Sequence, residues 1–340
     1  MYRRQLLRMA AAACGLGIGL RSTSATEQTV RLLMPFAAGG GPDLLARNAA
    51  PELARALGTP VVVDNRPGAG GTVAAELAMR AAPDGHTLFV GTSAHVVNQL
   101  MLPAARFDVL ADFTPVSLMW QSPAVLVVSG ASPLRSVEAL VNRLRAEPGK
   151  ANYASGGVGT AAHLAGGAFV KVLGLDAVHV PYRGSVDVPA ALSSGDALFA
   201  IPVASAVLPA VRDGRLRALA VTGSTRLAQL PDVPTLHERF GSELLVQLSW
   251  GGLWLPAGAG AALVERIHRA NATAMQVPAV RRFHEDSGTE AIVSASPAEF
   301  QAFMQAEQRK WRQVLAVLDL LPARPTGAAP APEVGRAAAR

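Results

Sequence analysis

The residues of this 340-residue chain best placed to do chemistry sit in two glycine-rich runs. The first, Pro35-Phe-Ala-Ala-Gly-Gly-Gly-Pro-Asp43, holds Phe36, Ala37, Ala38, Gly39, Gly40 and the acid Asp43. The second, Ser155-Gly-Gly-Val-Gly-Thr-Ala-Ala-His163, holds Ser155, Gly159, Thr160 and His163. Each follows an apolar strand pattern and leads into a helical one. Glycine lets backbone N–H groups turn toward one point with no Cβ in the way, and the helix behind adds unpaired N–H groups and the positive end of its dipole. That is a seat for an anion, and phosphate and carboxylate both suit it. One such run equally suits an ordinary strand-to-helix turn. Two of them, about one domain apart, point to an anion held between two units.

Other chemistries match the residues less closely. Gly39-Gly-Gly-Pro-Asp43 is not the dinucleotide fingerprint, Gly157-Val-Gly-Thr-Ala-Ala162 opens it but ends in alanine, and no Gly-Lys-Ser/Thr run forms a P-loop. Ser155 with His163 invites a hydrolase reading, yet no Gly-x-Ser-x-Gly elbow surrounds Ser155 and no acid partner is assignable. His163, one turn into its helix, suits donation to a carboxylate as well as a partly buried structural place. His95 and His179 have no metal spacing and read as a loop residue and a strand residue. Asp43 either accepts from an amine or hydroxyl of a ligand or is a favourable charge at a helix start. Tyr182 and Trp250 read as core or hinge residues.

The elements that must position these groups alternate. A helix over 43–57 ends at Gly58, a strand follows at 61–63, a further glycine loop at 64–71, a helix at 72–82 and a strand at 87–91, with Thr92 and Ser93 at its carboxyl end. Such a βαβαβ run favours a parallel sheet with ligands at the strands' carboxyl ends. After an irregular stretch the pattern restarts at Val125. Strands are expected at 125–128, 151–154, 178–181, 197–201 and 216–222, with a helix capped by Ser136 and others at 186–193 and 204–213. From Leu245 the chain leaves this second unit for a strand at 250–256 and helices at 261–276 and 278–287. A last helix, capped by Ser296, carries Phe300, Phe303, Trp311 and Leu315 at helical spacings.

Half of the residues are hydrophobic but only 5% are aromatic, so alanine, valine, leucine and glycine do the packing, as suits an α/β protein with tight turns. The formal charge of +6 sits at the ends: Arg3, Arg4, Arg8 and Arg21 at one, Arg324, Arg336 and Arg340 against Glu333 at the other. The body is neutral, which removes the argument for nucleic-acid binding. Cys14 is the single cysteine, so no disulfide forms within the body and no cysteine-based metal site exists there. Residues 1–25 read as an export signal, with a basic start, a short apolar run over Met9 to Leu20 and small residues at Thr23-Ser-Ala25. The pair Arg3-Arg4 resembles a twin-arginine signal. Residues 321–340, rich in Ala, Pro and Arg, are expected to be a disordered tail.

Several further stretches carry a resemblance: Val61-Val-Val-Asp-Asn-Arg-Pro-Gly-Ala-Gly-Gly71, Ala82-Pro-Asp-Gly-His-Thr-Leu88, His179-Val-Pro-Tyr-Arg-Gly184, Leu216-Arg-Ala-Leu-Ala-Val-Thr222 and Leu230-Pro-Asp-Val-Pro-Thr235. With the two glycine runs, and over nearly all of 30–318, the chain resembles the Bug family, the extracytoplasmic receptors of tripartite tricarboxylate transporters. The resemblance implies an α/β, two-lobed periplasmic-binding-protein fold of type II-like form, each lobe a mainly parallel sheet flanked by helices. It implies a periplasmic, non-catalytic receptor that closes on a small carboxylated molecule, with membrane permease subunits as partners, no metal or cofactor, and a monomeric chain. A sensor presenting ligand to a membrane kinase shares that fold, and a Ser155–His163 hydrolase is the rival from another class.

The resemblance also implies the ligand positions: Phe36, Ala37, Ala38, Gly39, Gly40, Asp43, Thr92, Ser93, Ser155, Gly159, Thr160, His163 and Pro202, with the Thr160 hydroxyl bonding a carboxylate or its bridging water. The chain departs from the family's usual residues at Pro42, in place of threonine, and at Leu198 and Pro202, in place of acids. Lost polar groups beside the pocket imply a less polar distal end of the ligand. The restarts at Val125 and Leu245 place lobe 1 at 26–125 plus 247–320 and lobe 2 at 126–246, with one anion loop in each.

Overall fold

A strand is buried along its whole length only when both faces of its sheet are covered, and Thr87–Thr92 (β3) is such a strand. In the computed structural model, which describes residues 29–322, it lies inside a six-stranded sheet. The export segment at 1–25, with Cys14, lies outside the described residues, as does nearly all of the tail placed at 321–340. Next to β3 come Val30–Met34 (β1) and then Val61–Asn65 (β2), both parallel; on its other side run Leu248–Pro256 (β10), Phe113–Pro123 (β4) and the edge strand Glu290–Ala291 (β11), each antiparallel to its neighbour. Alternation along β3 feeds two cores. Leu88 and Val90 pack with Gly41–Leu57 (α1), Ala261–Gln276 (α9) and Pro278–Asp286 (α10). Phe89 packs with Thr72–Met79 (α2), Ser93–Met101 (α3) and Pro297–Val317 (α11), whose Phe300, Trp311 and Leu315 are buried there. Trp250 belongs to that core, where its indole and that of Trp311 both donate to buried Glu307, at 2.8 and 3.1 Å.

The second sheet has the order Val178–Pro181 (β7), Asn152–Ser155 (β6), Phe199–Ala200 (β8), Val125–Ser129 (β5), Leu216–Val221 (β9). Leu126 and Val128 face Val137–Ala146 (α4), Ala161–Val172 (α5) and Leu236–Phe240 (α8). Val125 and Val127 face Val188–Ser194 (α6) and Ala204–Arg212 (α7). The molecule is therefore two α/β lobes, each with its own sheet.

Three expectations need correction. The sheets are mixed rather than mainly parallel: β5 runs antiparallel to both β8 and β9, and β10 antiparallel to both β3 and β4. β4 leads out toward the second sheet and β10 returns beside it, so adjacent crossing strands must oppose each other. The stretch before Val125 is not irregular but holds α3 and the eleven-residue β4. α3 is buried nearly all round and so shows no amphipathic stripe, while β4 contains Pro115 and Pro123 and lies beside two register shifts against β10. His95, read as a loop residue, lies within α3.

The chain crosses between sheets at 123–125 and again at 246–248, and Thr222 ties the crossings together. Its hydroxyl accepts from Ala124 N at 2.8 Å and donates to Gln247 O at 2.6 Å. Its own N–H and C=O bond Ala124 O and Gln247 N at 2.9 and 3.0 Å. Thr222 is 2% exposed, so no water substitutes easily. Thr222→Val keeps the shape but strands two buried backbone groups, each worth about 1–3 kcal/mol when unsatisfied. We expect urea unfolding to show a loss of about 2–3 kcal/mol with no change in the slope; an unchanged midpoint would mean the crossings do not depend on this hydroxyl.

Candidate functional site

Between the lobes lies a cavity of about 60 Å³ to which four helix starts contribute. α1 begins behind Gly40, α3 behind Thr92, α5 behind Thr160 and α7 behind Val203, and all four capping residues line it. The first N–H groups of a helix have no partner within it, and each start carries roughly half a positive charge. Hydroxyls of Thr92, Ser93, Thr160, Ser185 and Ser249 share the wall with Phe36, Ala37, Pro42, Val186 and Pro202. Every side chain lining the cavity among the described residues is uncharged. Among the described residues, no group of three His, Cys, Asp or Glu side chains is gathered to hold a metal.

The first loop is braced from behind by Asp43, which is 1% exposed. Its carboxylate accepts from Gly39 N at 2.8 Å, Asn65 Nδ2 at 2.8 Å and Arg47 Nε at 2.9 Å. Burial alone would raise its pKa, but bonds from Arg47, Asn65 and Gly39 hold it below the ordinary value. Of the three glycines, only Gly39 has positive φ, at 80°. Gly41 serves a different need, the approach of the other lobe: a Cβ there would lie 2.3 Å from Ser205 Oγ.

The second loop closes in the same manner. Gly159 has φ of 78°, and a Cβ there would sit 1.7 Å from Asn98 Oδ1 of the first lobe. The Thr160 hydroxyl donates to Gly157 O at 2.7 Å and caps α5 by accepting from His163 N at 3.5 Å. Ser155 Oγ pairs with His179 Nε2 at 2.6 Å, not with His163, and Ser155 is fully buried. His163 Nδ1 accepts from Gly159 N at 3.2 Å and its ring stacks on His179 with centroids 4.1 Å apart. Among the described residues neither histidine bonds a carboxylate, so the serine–histidine contact lacks the acid of a hydrolytic triad.

Of the residues singled out in the sequence, Phe36, Ala37, Gly40, Thr92, Ser93, Thr160 and Pro202 come together on the cavity wall. Ala38 and Gly39 are exposed on the first loop, and Asp43, Ser155, Gly159 and His163 form a buried layer behind the lining. The sequence reading did not single out Ser185, Val186, Val203 or Ser249. For Ser249 a signal existed: it precedes buried Trp250 in β10, and alternation turns it the opposite way.

Residues 45–320 match the family described as tripartite tricarboxylate transporter family receptor. The protein BugT of Bordetella pertussis is 31% identical over 306 residues, spanning 89% of this chain and 93% of its own. The structure of the periplasmic binding protein BugD matches with a TM-score of 0.82 at 26% identity, over 86% of this chain and 98% of that one. MatC from Rhodopseudomonas palustris, solved with bound malate, matches with a TM-score of 0.79 at 30% identity, over 84% of this chain and 98% of that one.

The histidines near the site are held neutral. His95 accepts from Thr92 N at 2.9 Å, and its pKa is lowered to about 4 by burial. His179 is also lowered to about 4, by burial first and then by the neighbouring His163, itself lowered by burial. The unfolded chain therefore binds more protons than the folded one between pH 4 and 6.5. The stability these groups contribute is present above the unfolded value and lost as pH falls through that window, by up to about 1.4 kcal/mol per pH unit for each histidine. We expect the urea midpoint to fall between pH 7 and pH 5, and His179→Gln to make that fall shallower; a midpoint flat across the window would refute the assignment.

Proposed function

The chain belongs to the tripartite tricarboxylate transporter receptor family, and on that footing we propose that it is a periplasmic solute receptor, which captures a small carboxylated molecule between its lobes and passes it to membrane permease subunits. The observation that carries this reading is the meeting of four helix starts at one uncharged cavity. A carboxylate supplies acceptors to N–H groups left over by the helices and a negative charge to their dipoles. The malate bound by MatC supports the ligand class. The buried place of Ser155 behind the cavity supports binding without turnover. The basic, apolar segment at 1–25 supports export.

We assign 26–125 plus 247–320 to lobe 1 and 126–246 to lobe 2, with Thr222 at the hinge. Closure brings Gly41 against Ser205 and shuts water out of the cleft, which strengthens hydrogen bonds to the trapped carboxylate. Ser93 is a hydroxyl free to donate, since its one side-chain hydrogen-bond partner among the described residues is Ser249 Oγ at a long 3.4 Å. The Thr160 proton is committed to Gly157 O.

Calorimetric titration of the full chain with a panel of carboxylic acids tests the reading. We expect saturable binding, a smaller radius of gyration by small-angle scattering on loading, and a loss of about tenfold or more in affinity for Ser93→Ala, the worth of a hydrogen bond to a charged group. Thr160→Val is expected to cost less. Steady turnover of esters or amides, or no heat with any carboxylate, would overturn the receptor assignment.

A further inference from the structure

We infer that the cavity selects carboxylic acids bearing no cationic group and rejects the corresponding amino acids. This specificity rests on the carboxylate reading above. An ammonium group has three donors and no acceptor, and once desolvated it needs both acceptors and a counter-charge. The cavity offers the reverse. Its helix starts present N–H donors and positive dipole ends, and among the described residues no lining side chain is acidic. Two acids adjoin lining residues in sequence: Asp187, beside Val186, is exposed and outside the lining, and Asp43, beside Pro42, is withdrawn behind the loop with its oxygens engaged by Gly39, Asn65 and Arg47. Turning it inward would release the loop that forms α1's start.

The lining also has apolar members, Phe36, Pro42, Val186, Pro202 and Val203. It suits a methyl or methylene group. Ser93 and Ser249 can each donate or accept, so they pair with a hydroxyl substituent on the acid, but being neutral they supply an ammonium with no counter-charge. The charge beyond the wall does not help an amine either: Ala37 and Gly156 also line a second cavity, whose charged residue is the cation Arg183.

Matched pairs of ligands isolate the effect, because lactate and alanine, or malate and aspartate, share a skeleton and differ in hydroxyl against ammonium. Titrating the full chain at pH 7 with these four, with propionate and adipate alongside, we expect each amino acid to bind at least about a hundredfold more weakly than its hydroxy partner, the scale set by an uncompensated buried charge. Binding of alanine or aspartate within tenfold of the hydroxy acid would overturn the inference and leave the carboxylate receptor standing. No binding by any of the six would overturn both. Val203→Asp places an acid where a helix favours one, at the cap of α7. In that variant, with its fold checked by circular dichroism, the preference is expected to narrow at least tenfold; an unchanged ratio would show that the missing counter-charge is not the cause.

Discussion

Four helices begin at one cavity, and the leading N–H groups of each lack partners within the helix. This concentration of donors and partial positive charge is the constraint around which the rest of the molecule is arranged. Side chains that could cancel it are held away. Asp43 is turned back and neutralised against Arg47, and the histidines behind the loops are kept uncharged by burial, so they add no further positive charge. Among the described residues, the lining side chains supply hydroxyls and apolar groups, and an incoming anion suits the backbone donors.

Bringing four helix starts together requires two lobes to meet almost backbone to backbone, a need that acts on the glycines in addition to the positive φ of Gly70 and Gly159. Gly41 against Ser205, Gly159 against Asn98 and Gly70 against Val158 are all places where a Cβ would clash with the opposite lobe. The contact is extensive enough that Leu164 and Ala168 of α5 join the core of the first lobe. Meanwhile the covalent connection between lobes is slight, two crossings fastened at Thr222. A large, complementary contact across so slight a connection suits the proposed closure, in which occupancy of the cavity controls whether the lobes stay together.

The sequence by itself determined the alternation of strands and helices, the two glycine loops at strand-to-helix junctions, caps such as Ser136 and Ser296, and the aromatic face of α11. Each of these is a local pattern, set by period, capping chemistry or turn residues. The motifs that mark the family are local in the same sense, and Phe36, Ala37, Gly40, Thr92, Ser93, Thr160 and Pro202 were legible as cavity residues for that reason. Tertiary structure decided which way the polar groups face and what they meet. That Asp43 serves Asn65 and Arg47, that Ser155 meets His179 rather than His163, and that Ser93 stands beside Ser249, 156 residues away, follows from contacts between elements. So does the mixing of the sheets, because the crossing strands acquire their neighbours only when the chain returns from the second lobe. No period along the chain carries that information; it resides in the packing of elements distant in sequence within each lobe.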